Sequence, residues 1–206
     1  MHEGSVVIHA PAKPARLVLL FHGVGSTAGH LAPLGEAVAR AVPDALVVSV
    51  NGQHPSTLGS GREWFSVVGI TEQNRPARIA QAMPLFRQAV AHWQHHSGVD
   101  VAHTALVGFS QGAILSLEST QTGDTPLAAQ VVSLAGRLAT PARSAPAGVR
   151  WHLIHGTQDG VVSAQHAQQA AAELKALGAD VTLDLLDGLG HTIDARAMQL
   201  LLRYLG

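Results

Sequence analysis

Cysteine is absent from this 206-residue chain, which excludes disulfides, thiolate catalysis and zinc–thiolate sites together. Charge is sparse as well. Only 13% of residues are Asp, Glu, Lys or Arg, and the formal net charge is -1, so nothing points to nucleic acid or an anionic membrane surface as a partner. No run of about 18 uninterrupted apolar residues occurs, and no stable membrane insertion is expected. Met1-His2-Glu3-Gly4 carries no basic stretch, and Pro11 and Lys13 interrupt the apolar residues that follow, which makes a cytoplasmic location the default expectation. The 13 histidines read as scattered, without a metal-ligating helical pair or Cys/His spacing, and no metal is expected. Apolar residues, in contrast, make up 47% of the chain. That is enough for a large core, and residues 1–206 are expected to form one domain. No sequence feature specifies an oligomeric state.

Short apolar runs alternate with stretches of helical period. Strands are expected at Ser5–His9, Arg16–Phe21, Ala45–Val50, Thr104–Val107, Gln130–Leu134, Trp151–His155 and Val181–Leu185. Several are apolar nearly throughout, as in parallel strands covered on both faces. Helices are expected where Leu31, Leu34, Val38 and Val42 repeat, and where Ile79, Met83, Phe86, Val90 and Trp93 do. Two more span Ala164–Leu177 and Asp194–Leu205. Pro84 should kink the second of these helices, for which Thr71 and Asn74 are both candidate caps. Strand–helix alternation implies right-handed crossovers and an α/β sandwich with a mostly parallel central sheet flanked by helices. Asn51–Gly69 and Gly136–Gly148 read as irregular. The second is too short for a separate lid domain.

Gly108-Phe109-Ser110-Gln111-Gly112 has the form G-x-S-x-G, between a strand and a helical run at Ala113–Glu118. A serine so placed occupies a strained turn, and the glycines let strand and helix approach closely. The helix N-terminus beneath supplies free N–H groups and a positive dipole end. A serine nucleophile needs a base, and the base an orienting acid. Asp159 follows the strand Trp151–His155, and His191 follows Val181–Leu185. Both therefore lie on loops at strand C-termini, in the order serine, acid, histidine. Asp184, Asp187 and Asp194 are rival acids inside or beside the histidine's own segment, and Asp159 is preferred over them. His191 is preferred as the base; His155 is the next candidate, but at a strand end it is expected to pack there.

The turn Phe21-His22-Gly23-Val24-Gly25-Ser26-Thr27-Ala28 also fits a loose dinucleotide fingerprint, Gly23-x-Gly25-x-x-Ala28. That reading requires an acid at the end of the next strand, where Asn51 stands. The turn fits better as an oxyanion loop, with Val24 N–H facing the Gln111 N–H that follows the nucleophile.

With these residues assembled, the chain resembles the bacterial phospholipase/carboxylesterase family, relatives of acyl-protein thioesterases. The likeness runs from Leu20-Phe21-His22-Gly23-Val24-Gly25 through Gly61-Arg62-x-Trp64-Phe65-Ser66 and Gly108-Phe109-Ser110-Gln111-Gly112-Ala113-Ile114 to His152-Leu153-Ile154-His155-Gly156 and Gly190-His191. It implies a lidless α/β-hydrolase with Ser110, Asp159 and His191 as triad, Val24 and Gln111 as oxyanion donors, and no cofactor. Trp64 and Phe65 would wall the acyl site or pack against the body, with Leu189 beside them. Ser26 and Gly160 depart from residues common in relatives, Asp and Pro respectively. The expected activity is hydrolysis of a small-molecule ester of short to medium acyl length through an acyl-enzyme. A thioesterase, a lysophospholipase and a non-catalytic ligand-binding protein on the same fold are the alternatives.

Overall fold

The computed structural model describes residues 4–123 and 125–206. Met1-His2-Glu3, used in reading the N-terminus, lie outside the described residues. Seven strands form one sheet: β1 (Val6–His9), β2 (Arg16–Phe21), β3 (Ala45–Val50), β6 (Thr104–Phe109), β7 (Gln130–Leu134), β8 (Arg150–Gly156) and β9 (Asp180–Leu186). Their spatial order is β1-β3-β2-β6-β7-β8-β9, with β1 antiparallel to β3 and every other pair parallel.

Helices α1 (Ala32–Ala41) and α5 (Ala195–Leu205) cover one face, and α2 (Arg75–Ser97), α3 (Gln111–Glu118) and α4 (Ala164–Ala176) the other. The two-residue period of β2 makes the division plain. Leu17, Leu19 and Phe21 join Phe86 and Trp93 of α2, while Val18 and Leu20 join Val38 of α1 and Leu201 of α5. Both sides of the strand are buried, which is why its sequence shows no polar alternation.

Helix α2 runs through Pro84 without interruption, although the ring denies the Ala80 carbonyl its usual donor. Asn74 is its N-cap residue, and Thr71 and Asn74 exchange reciprocal side-chain-to-backbone hydrogen bonds ahead of the first turn. The stretch 51–69, read as irregular, holds a small ladder of β4 (His54–Pro55) and β5 (Arg62–Glu63). Arg62 bridges onward to Ser26, which ties this ladder to the loop after β2. Residues 135–149 contain neither helix nor strand.

The chain leaves β2 to build β3 on one side and returns to place β6 on the other. Such a reversal opens a crevice at the strand C-termini. Phe21 is in register with Gly108 there, so the loops after β2 and β6 emerge side by side.

Candidate active site

Ser110 stands between β6 and α3 with φ 53° and ψ -115°, a left-handed conformation costing a non-glycine residue about 1–3 kcal/mol. The neighbours that hold it there admit no side chain. A Cβ on Gly108 would lie 2.4 Å from the Ala113 Cα, and one on Gly112 would lie 2.2 Å from the Phe21 carbonyl oxygen. Ser110 N–H donates to the Leu134 carbonyl at 2.9 Å, pinning the turn to the end of β7.

The three residues singled out from chain order converge. His191 Nε2 lies 2.9 Å from Ser110 Oγ, and His191 Nδ1 lies 2.7 Å from Asp159 Oδ2. Asp159 Oδ1 accepts the N–H groups of Val161 and Val162, each at 2.8 Å. Burial alone would push this carboxyl up, but the bonds from His191, Val162 and Val161 outweigh it and hold the pKa below the ordinary carboxylate value. An ionised Asp159 can only accept, so Nδ1 of His191 carries the proton and Nε2 is left to accept from Ser110. Phe109 packs against the His191 ring, centroids 5.0 Å apart.

Each rival acid is engaged elsewhere. Asp187 accepts from Thr157 Oγ1 at 3.1 Å, Asp184 accepts from the Tyr204 hydroxyl at 2.5 Å, and Asp194 caps α5 through the Ala197 N–H. Asn51, which stood where a dinucleotide site needs an acid, accepts the Ala28 N–H at 2.9 Å and so braces the loop after β2.

The two candidate oxyanion donors come from different elements, joined by a buried polar network. Gln111 N–H lies in the first turn of α3, where backbone donors lack intrahelical partners. Val24 follows Gly23, whose added Cβ would sit 3.1 Å from Ser110 Cβ; a side chain there would press on the serine and shift it by a few tenths of an ångström. The Gln111 side chain accepts the Trp64 N–H at 2.8 Å and donates to the Phe65 carbonyl at 2.7 Å. Trp64 Nε1 donates to the His22 carbonyl at 2.9 Å. His22 is fully buried; its Nδ1 donates to the Gly23 carbonyl at 2.7 Å and its Nε2 accepts the Gly52 N–H at 2.9 Å. That pattern requires a neutral ring, and burial lowers its pKa accordingly.

Trp64 and Phe65 are 2% and 5% exposed and pack on the core face with Phe21 and Phe86. They nevertheless border a cavity of about 600 Å³ together with His54, Glu63, Ser66 and Arg78. Ser110 does not line that cavity. Leu189 is buried against the opposite core layer, while its carbonyl accepts the Gln158 N–H at 2.9 Å and steadies the Asp159 loop. Sequence reasoning passed over two contributors, namely the side chains of His22 and Gln111. Only His22 carried a local signal, directly before the glycine turn.

The reading of the histidines as scattered also needs correction. His92 and His96 lie four residues apart on α2 with rings 6.3 Å apart and 14° from parallel. Among the described residues, however, no group of three or more His, Asp or Glu side chains is arranged to hold a metal. Nor is any helix among them long and apolar enough to cross a membrane.

A strained serine turn between a parallel strand and a helix, at the crevice where strand order reverses, defines an α/β-hydrolase fold. Comparison with known proteins narrows the class. Residues 2–206 match the family described as Phospholipase/Carboxylesterase, and the chain belongs to that family. It is 47% identical over 206 residues to Esterase YpfH of Escherichia coli (strain K12), covering all of this chain and 88% of that one. The crystal structure of esterase PE8 superposes with a TM-score of 0.88 at 28% identity, covering 98% of this chain and 95% of the other. More distant is Acyl-protein thioesterase 1 homolog 1 of Dictyostelium discoideum, 23% identical over 91% of this chain and 88% of that protein.

Proposed function

We propose that the protein is a serine carboxylesterase that hydrolyses short to medium acyl esters through an acyl-enzyme. The observation carrying this reading is the continuous relay from Ser110 Oγ through His191 to Asp159, at 2.9 and 2.7 Å. Family membership and the esterase names of its relatives support the same reaction class.

Ser110 Oγ attacks the ester carbonyl as its proton passes to His191 Nε2. Asp159 holds the imidazole in the Nδ1–H tautomer and stabilises the cation that forms. The oxyanion of the tetrahedral intermediate is taken up by the Val24 and Gln111 N–H groups, each such donor contributing roughly 2.7–4 kcal/mol to the transition state. His191 then returns its proton to the leaving alcohol. Water, deprotonated by the same ring, attacks the acyl-serine and releases the acid. The helix dipole of α3, aimed at Ser110, favours the negative charge in both steps.

A fluorophosphonate probe with a mass-spectrometric readout tests the assignment. The native protein is expected to gain one adduct on Ser110, and Ser110→Ala to gain none. Equal labelling of the two proteins would remove Ser110 from the reaction. Multiple turnovers on p-nitrophenyl esters of graded chain length then separate an esterase from a binding protein and set the acyl preference.

A further inference from the structure

Asp159 has a second imidazole beside it. His155, the last residue but one of strand β8, has a side chain only 1% exposed, and Asp159's own is 0% exposed. Nε2 of His155 lies 2.8 Å from the Val162 carbonyl oxygen and 3.2 Å from Asp159 Oδ2. Both neighbours are acceptors, so Nε2 must carry a hydrogen. The hydrogen bond goes to Val162, and the polarised N–H edge lies alongside the carboxylate. Val162 in turn donates its own N–H to Asp159 Oδ1. The loop therefore closes on itself: His155 holds the Val162 carbonyl, Val162 and Val161 hold Oδ1, and Oδ2 lies between the rings of His155 and His191.

We infer that His155 is a positioning residue for the Ser110–His191–Asp159 relay. It rests on the assignment of those three residues made above. The need for it is local. Asp159 precedes Gly160, and Val161 beyond that is 73% exposed, so the loop has little apolar packing of its own to fix the carboxylate plane. Two N–H groups define one oxygen; without His155, Oδ2 would be oriented by His191 alone, the residue Asp159 is supposed to orient. His155 lies on a rigid interior strand and supplies the missing reference. It touches neither substrate nor reacting atoms. Misplacement of a reacting group by about 1 Å can cost on the order of 100-fold, which sets the scale of its effect.

The test compares His155→Leu, which fills the space without a donor, with His155→Gln, whose Nε2 falls close to that of the imidazole. In both, kcat and KM are measured on a p-nitrophenyl ester, with active sites counted by fluorophosphonate titration so that unfolded protein is not scored. The expected result is a fall of about 10- to 100-fold in kcat per active site for His155→Leu, with KM within about threefold, and recovery of most of that loss in His155→Gln. Should His155→Leu not fold, His155→Asn, whose amide stops short of Val162, takes its place. Wild-type kcat per active site in the donor-free variant, or equal loss in the Gln variant, would overturn the inference and leave His155 as core filling. Labelling of Ser110→Ala by the same probe would instead overturn the underlying assignment.

Discussion

Strand β8 buries two histidines three positions apart, and their surroundings differ. His152 points to the α5 side, where its ring stacks on Tyr204 with centroids 3.8 Å apart and planes 12° from parallel. Its Nδ1 bonds Thr182 Oγ1 at 2.8 Å, and its Nε2 has no partner among the described residues. His155, at the C-terminal end of the strand, has Nε2 engaged with Val162 and beside Asp159. The same residue type on the same strand is thus an apolar plate at one position and a tether for a loop at the other. The difference lies in what the strand end offers. A loop leaving a sheet exposes backbone carbonyls that need donors, whereas mid-strand carbonyls are already paired.

The sharpest way to break this contrast is at the tethered end. Asp159→Asn is expected to leave the fold intact and to lower kcat on the order of 10⁴-fold, because an amide at Oδ2 would present the wrong partner to His191 Nδ1. Asp187→Asn, whose amide oxygen can still accept from Thr157 Oγ1, is expected to stay within a few-fold of wild type. Steady-state kinetics on one chromogenic ester, with far-ultraviolet dichroism as the folding control, decides it. The reverse ranking of the two variants would transfer the acid's role to Asp187.

Much of this site was legible in the sequence, for a definite reason. Ser110, Asp159 and His191 each follow an apolar strand, and a parallel sheet brings strand C-termini to one edge whatever their distance along the chain. Chain order and strand prediction were therefore enough to bring residues 110, 159 and 191 together. The lateral contacts were not legible. That Gln111 would reach Trp64 and Phe65, or His22 reach Gly52, depends on the path of residues 51–69, and nothing in their composition announces the β4–β5 ladder. The two-residue strands are too short for any periodicity. The pairing of Trp64 and Phe65 with the core was likewise not legible, since the motif favoured an acyl wall and left plain packing as the alternative.

A second test strikes the network that joins the two candidate oxyanion donors. Gln111→Leu keeps the backbone N–H of residue 111 but leaves the buried Trp64 N–H and Phe65 carbonyl without their partners. Leaving a buried polar group unsatisfied costs about 1–3 kcal/mol, so a loss of roughly 2–4 kcal/mol is expected by urea denaturation. The activity of the remaining folded protein should fall about 10-fold or more, since the position of α3 against the Gly23 turn sets the donor geometry. A variant that loses stability but retains full kcat per active site would separate the network from the oxyanion hole and leave it purely structural.

The smallest effect belongs to the other histidine. Burial, aided by the nearby Arg150, pushes His152 down to about 4, against the attraction of Asp180 and Asp184. Its ordinary value is 6.5, so the unfolded chain takes up a proton at this position well before the folded one does. The stability that neutral His152 confers is complete above pH 6.5, declines as the pH falls towards 4, and is constant below that. His152→Leu fills a similar space without titrating. The wild-type-minus-variant difference in unfolding free energy should therefore be flat above pH 6.5 and shift in the variant's favour between 6.5 and 4. His22 and His166 are also held below their ordinary values by burial, but they are common to both proteins and cancel in the difference. Urea midpoints at half-unit pH intervals measure it. A difference that does not vary with pH would mean that the folded protein accommodates a charged ring between Tyr204 and Thr182, and that the stack opens to admit a partner for Nε2. The mid-strand histidine would then be as adaptable as the loop-tethering one, and the contrast along β8 would reduce to a matter of depth.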